Sequence, residues 1–143
     1  MKTRAAINAL NQADDNEINA LKTEAATLIY QTVPSALSQL PTELAAEYQA
    51  KLSDLHRDWD DARREQIWMT RFRSEAESIY NAVVLPQHES GVYADNYLSV
   101  CSDVQGYCRN AKGSARDARA GFNAVADTAQ EMLDEIDALL DVL

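Results

Sequence analysis

Few residues in this chain have both the type and the spacing to do chemistry. The only two cysteines lie in VCSDVQGYC, at Cys101 and Cys108, and the only two histidines are His56 and His88. On a helix, residues seven apart sit two turns away on one face, with Cα atoms ~10.5 Å apart. A disulfide needs Cα atoms within about 7 Å, so the two thiols cannot bridge each other while that helix is intact. A structural zinc site needs about four ligands. A hairpin turning at residues 84–89 would set Cys101 near residue 72 and Cys108 near residue 65. His56 would then lie more than a turn away and His88 at the turn itself, which argues against zinc. Both cysteines are therefore expected as small apolar core residues. The alternative is a symmetric oligomer in which each thiol meets its copy, giving cross-links on oxidation.

His56 opens HRDWDD, where a carboxylate one turn on could orient it as a general base, but no serine or cysteine is placed as its nucleophile. The expectation is an exposed helix residue. RDWDDARREQIWMTRFR, residues 57–73, interleaves five of the nine arginines with two tryptophans and a phenylalanine, as some nucleic-acid binders do. Four acids in the same stretch leave a net of +1, and Asp60, Asp61 and Arg64 stand at contact spacing, so a salt-bridged helix face is the simpler reading. Phosphate-loop, dinucleotide, hydrolase-elbow, zinc-protease and EF-hand patterns do not occur, and no cofactor or small-molecule substrate is implied.

The elements that must position these residues are helices. Glycine numbers four and proline three in 143 residues, with few aromatics, a composition of long helices. Breaks are expected at VPSALSQLP, where Pro34 should stop the first helix, at VLPQHESG, and more softly at 110–121. The resulting expectation is one all-α domain over 1–143, an elongated three- to four-helix bundle with helices at about 4–32, 43–83 and 90–142. Asp15 or Asn16 is the expected N-cap before Glu17, and Thr42 that of the second helix.

Along the second helix Tyr48, Leu52, Leu55, Trp59 and Ala62 form one stripe. Trp68, Met69, Phe72, Ala76, Ile79, Tyr80 and Val83 form another, rotated by roughly a quarter to a third of a turn. Either the helix bends near 63–67 or it changes partner there. Trp59 and Trp68, nine apart, face opposite ways and are expected to anchor different parts of the core. The C-terminal third is the most regular: from Tyr93, steps of four and three reach Cys101, Val104, Cys108, Ala111, Ala115, Ala118, Phe122, Val125, Ala129, Met132, Ile136, Leu139 and Leu143. That is a coiled-coil-like seam, antiparallel to the 43–83 helix. Gly106, Gly113 and Gly121 fall off it, and 110–121 is where it would bend or break.

With the turn at 84–89, residues 127–143 would project past the second helix. Either the first segment folds back over Met132, Ile136, Leu139 and Leu143, or that stripe is an interaction surface. The same stretch holds only acids, Asp134, Glu135 and Asp137 among them, and Arg109, Lys112, Arg116 and Arg119 form a basic waist. These two groups suit staggered contacts with copies or partners. A net charge of −10 disfavours nucleic acid. No apolar run suits a signal peptide or a membrane span, and free thiols suit a reducing compartment, so a cytoplasmic protein or a component of an assembly is expected.

Two function classes follow. The first is a non-enzymatic structural, assembly or adaptor protein associating through helical packing with itself or a protein partner, as in virion or secretion-type assemblies. The second is an acidic inhibitor or immunity-type protein that occludes a basic site on its partner.

Overall fold

The computed structural model describes the backbone of residues 1–10 and 12–143 and the side chains of residues 1–10 and 14–143. Among the described residues every regular element is helical: α1 (Lys2–Asn8), α2 (Gln12–Thr27), a π turn (Leu28–Thr32), α3 (Val33–Leu37), α4 (Thr42–Ile79), a second π turn (Tyr80–Val84), α5 (Leu85–Ser90) and α6 (Tyr97–Val142). No helix among them is long and apolar enough to cross a membrane. The architecture is an all-α bundle of three rods. The long α6 runs antiparallel to α4, and the α1–α3 segment lies along both.

Neither Pro34 nor Pro86 stops its helix, contrary to the sequence expectation. A proline inside a helix lacks the N–H donor, and its ring presses on the carbonyl four residues back. Both sites avoid the clash in the same way, by widening the preceding turn. The Val33 N–H reaches back to the Leu28 carbonyl, and the Leu85 N–H to that of Tyr80, each spanning five residues instead of four. The wider turn makes room for the ring and the helix continues.

The reversal between α4–α5 and α6 therefore comes later than residues 84–89. Gly91 ends α5 in the left-handed conformation (φ 72°), where a side chain would be strained, and its N–H reaches the Gln87 carbonyl at 2.9 Å. Gln87 Oε1 also accepts from the Ala94 N–H at 2.8 Å, fixing the following loop.

Moving the turn changes the register of the hairpin. Cys101 and Cys108 cluster with Ala76, Tyr80 and Val84, not with residues 65–72. Ala62 stands against Gly121, so close that a Cβ on Gly121 would lie 2.8 Å from that of Ala62. The end of α6 consequently lies beside the start of α4 and does not project beyond it. Val125, Ala129, Met132 and Ile136 share a core with Tyr48, Leu52 and Leu55 and with Ala25, Ile29, Val33 and Leu37 from the first rod. Of the two outcomes weighed for the C-terminal stripe, the first segment folding back is the one adopted.

α6 is unbroken through 110–121. Its small residues there allow the close approach at Gly121, and Phe122 fills the space beside it, fully buried. The helix starts also differ from expectation. Asp15 and Asn16 lie inside α2, with Asp14 and Asp15 in its first turn, where the helix dipole favours acids. At α4 the cap is Pro41 and Thr42 is the first helical residue; the Pro41 carbonyl accepts from the Leu44 and Ala45 N–H groups, both at 3.0 Å.

Candidate functional site

Both cysteines are free and buried in the α4–α6 core. Burial pushes the Cys108 thiol above its ordinary pKa, with Lys112 opposing, which disfavours the nucleophilic thiolate. A thiol so enclosed cannot reach a second copy without opening the bundle. No group of three or more His, Cys, Asp or Glu side chains is placed to hold a metal among the described residues.

His56 is not a freely exposed helix residue. Its Nε2 lies 3.2 Å from the Ile29 carbonyl, and its ring stacks on Tyr30 with centroids 4.5 Å apart. The reason lies in the first π turn. The Val33 N–H is given to Leu28, and the next donor in that register would be Pro34, which has none, so the Ile29 carbonyl is left over. A carbonyl only accepts, so His56 donates from Nε2 and completes the turn. This histidine has a structural task, and His88 lies in the last turn of α5, exposed.

The residues expected to form an association surface separate in space. Met132 and Ile136 are buried within the chain, Leu139 is partly buried, and only Leu143 is well exposed. Their expected role as an uncovered stripe is corrected by the register described above. Asp134, Glu135 and Asp137 do face outward. Asp134 accepts from Gln130 at 3.0 Å, and Glu135 accepts from the Tyr48 hydroxyl, whose pKa is raised by burial and by that carboxylate. The basic waist divides as well. Arg119 is drawn in to Asp14 (3.3 Å) and Glu17 (3.2 Å), tying α6 to α2, whereas Arg116 meets exposed Asp117 and Arg109 and Lys112 remain exposed.

One surface stands out once these are placed. The first rod meets α4, and the π turn that continues it, at positions seven apart. The Trp59 indole N–H donates to the Lys22 carbonyl (3.1 Å), Gln66 donates to Asn19 (2.6 Å), Arg73 grips both oxygens of Asp15 (2.8 and 2.9 Å), and Arg4 donates to the Tyr80 hydroxyl (3.1 Å). The core of the α4–α6 pair uses Tyr48, Leu55, Ala62, Met69 and Ala76. The positions on the other side of that core, Asp58, Glu65 and Phe72, with Asp61 and Trp68 beside them, belong to a flank that the first rod does not cover.

Trp68 does not anchor the core as expected. It is 47 % exposed, stacked on Phe72 (5.6 Å between centroids), and Phe72 in turn neighbours Tyr107 of α6 (6.4 Å). Arg71 lies over the outer face of the indole at 5.4 Å. Toward the C-terminal end of α6, the same flank becomes a shallow groove between the helices. Its floor is Ala62, Gly121 and Ala124, and its walls are Asp58, Asp61, Glu65 and Asp117. The open flank is thus aromatic in one half and acidic in the other. Sequence reasoning assigned its aromatic half to the core, although the rotated stripe at Trp68 and Phe72 was the visible signal that a second face begins there.

Compared with models of known protein families, with curated proteins and with solved structures, the chain finds no match in any of the three.

Proposed function

We propose that this protein is a non-enzymatic adaptor or assembly subunit that associates through helical packing on the open flank of the α4–α6 pair. The observation that carries the reading is the Trp68–Phe72–Tyr107 line of rings, set on two long helices and half-open to water. Aromatic anchors of this kind supply most of the energy of protein interfaces when a partner completes their enclosure. The C-terminal seam expected to mediate association is consumed in folding, so association passes to this flank.

A second reading, an acidic inhibitor, draws on the outward-facing Asp134, Glu135 and Asp137 at the opposite end of the molecule. It places the binding energy in carboxylates and makes it depend steeply on salt.

Sedimentation in host extract distinguishes them. The wild-type chain should travel in a species larger than its 15.9 kDa. Trp68→Lys should return it to the size of the isolated chain without lowering its melting temperature. A wild-type chain that sediments alone in extract and in concentrated solution would refute the adaptor reading. A complex that ignores Trp68→Lys but dissolves on neutralising Asp134, Glu135 and Asp137 would favour the inhibitor.

A further inference from the structure

We infer that the occupant of the open flank is an amphipathic helix of a partner protein, basic along one half and apolar along the other. This rests on the adaptor reading and adds the chemistry of the partner. The two halves of the flank ask for different things. Trp68 and Phe72 need apolar side chains laid against them to finish excluding water. Asp58, Asp61, Glu65 and Asp117 converge on one groove. Two of the four acids have an exposed, local ion pair, Arg64 to Asp61 at 3.8 Å and Arg116 to Asp117 at 3.2 Å, so the groove keeps a net negative charge.

The floor beneath the acids is made of Ala62, Gly121 and Ala124, which lets a third backbone come close. From Asp58 to Phe72 the flank runs along about four turns of helix, a length of roughly 21 Å at 1.5 Å per residue. A helical segment of that length lies in such a trough with its long cationic side chains reaching both acidic walls.

A second copy of the chain fits poorly for a geometric reason. Two-fold pairing that runs the flanks parallel sets acids against acids. Antiparallel pairing sets the carboxylates of Asp58, Asp61, Glu65 and Asp117 of each copy against the other's aromatic half, where Arg71 is one cation against four acids, so most of the desolvated charge goes unmatched. Nucleic acid meets the acidic walls with its own negative charge. A partner with a cationic half satisfies both requirements at once.

The test uses the full chain and three synthetic probes of about twenty residues, each helical, labelled and free of tryptophan. One carries leucines facing one half and lysines facing the other. A twin replaces the lysines by glutamates, and a third keeps the lysines but replaces the leucines by glutamines. Fluorescence anisotropy should show the leucine–lysine helix binding, roughly tenfold weaker after Trp68→Ala and at least tenfold weaker after Asp58→Lys with Glu65→Lys. Neither control probe should reach its affinity.

Equal binding of the lysine and glutamate twins would overturn the inference, as would binding indifferent to all three substitutions, or no binding by any probe. Sedimentation of the purified chain separates this failure from that of the adaptor reading. Self-association lost on Trp68→Lys would place a second copy on the flank, refuting the basic helix and leaving association through the flank intact.

Discussion

Around residues 66–73 the two flanks of α4 differ in a way opposite to simple hydrophobic patterning. The covered flank, facing the first rod, presents His56, Trp59, Gln66, Arg73 and Tyr80, most of them polar or able to hydrogen-bond. Each is matched: His56 to Ile29, Trp59 to Lys22, Gln66 to Asn19, Arg73 to Asp15 and Tyr80 to Arg4. The open flank includes Trp68 and Phe72, more apolar than their counterparts, yet Trp68 remains half in water. What marks a flank as internal is therefore the pairing of its polar groups with a neighbour, and what marks the other as external is aromatic surface left without one. Between residues 66 and 73, where Gln66 and Arg73 are covered and Trp68 is exposed, apolar content alone would have exchanged the two.

The tryptophans provide the largest test of that contrast. Trp59 packs on Phe122 (6.0 Å between centroids) and meets Tyr30 edge-on, besides its hydrogen bond to Lys22. Trp59→Ala should destabilise the fold by about 3 kcal/mol in urea unfolding, through lost burial and the cavity left against Phe122. Trp68→Ala should change stability by no more than about 0.5 kcal/mol, as an exposed substitution. Equal losses at the two sites would erase the distinction between the flanks.

Arg73 sharpens the comparison next. Its side chain is 22 % exposed and that of Asp15 11 %, so the pair is mostly withdrawn from water. Arg73→Ala would strand the carboxylate and should cost about 2–3 kcal/mol. Arg73→Met combined with Asp15→Leu should recover most of that loss, because the charge left behind, more than the bond itself, carries the penalty. If the double variant were as unstable as the single one, the covered flank would owe its cohesion to the ion pair and not to satisfied polarity.

A smaller effect is expected at His56. His56→Ala removes the donor for the Ile29 carbonyl and should cost about 1–2 kcal/mol. Glutamine in its place, able to donate over a similar reach, should restore part of it. The corresponding carbonyl at the second π turn belongs to exposed Asn81, where water is at hand, so no side-chain donor is required there. An unchanged unfolding midpoint in His56→Ala would mean that water also serves Ile29.

Much of this architecture is legible in the residues and some is not, for identifiable reasons. The row from Tyr97 to Ile136 reads as a seam because each step of three or four lands on an apolar or small side chain, and α6 buries that row. The reversal of the hairpin is misread because Pro86 signals a stop. A π turn that absorbs a proline has no signature of composition, depending instead on whether tertiary packing makes continuing the helix worthwhile. That single shift of the turn moves the register and brings Met132 and Ile136 from a supposed overhang into the core. Gln66 and Arg73 hide the true inner line of α4, since polar residues at seam spacing look like interruptions until Asn19 and Asp15 are placed opposite. The acids of the open groove come from α4 and α6, far apart in sequence, and only the register brings Asp117 to Asp58 and Glu65.

The finest test of the two-sided picture uses two glycines of α6 that both fall off the seam, Gly113 at the position most remote from it and Gly121 nearer. A Cβ at Gly113 would meet nothing within 4 Å, whereas one at Gly121 would press on the Ala62 Cβ at 2.8 Å. Gly113→Ala should raise stability by a little under 1 kcal/mol, the usual gain from replacing glycine inside a helix. Gly121→Ala gains the same propensity but must push α6 away from α4, a cost of roughly 1–3 kcal/mol for added volume in a packed contact. The balance should be a net loss near 1 kcal/mol. Because Gly121 also floors the acidic groove, its variant should weaken binding of the lysine-bearing probe while Gly113→Ala leaves it unchanged. Parallel behaviour of the two variants would mean that the close approach of the helices neither holds the bundle together nor shapes its open side.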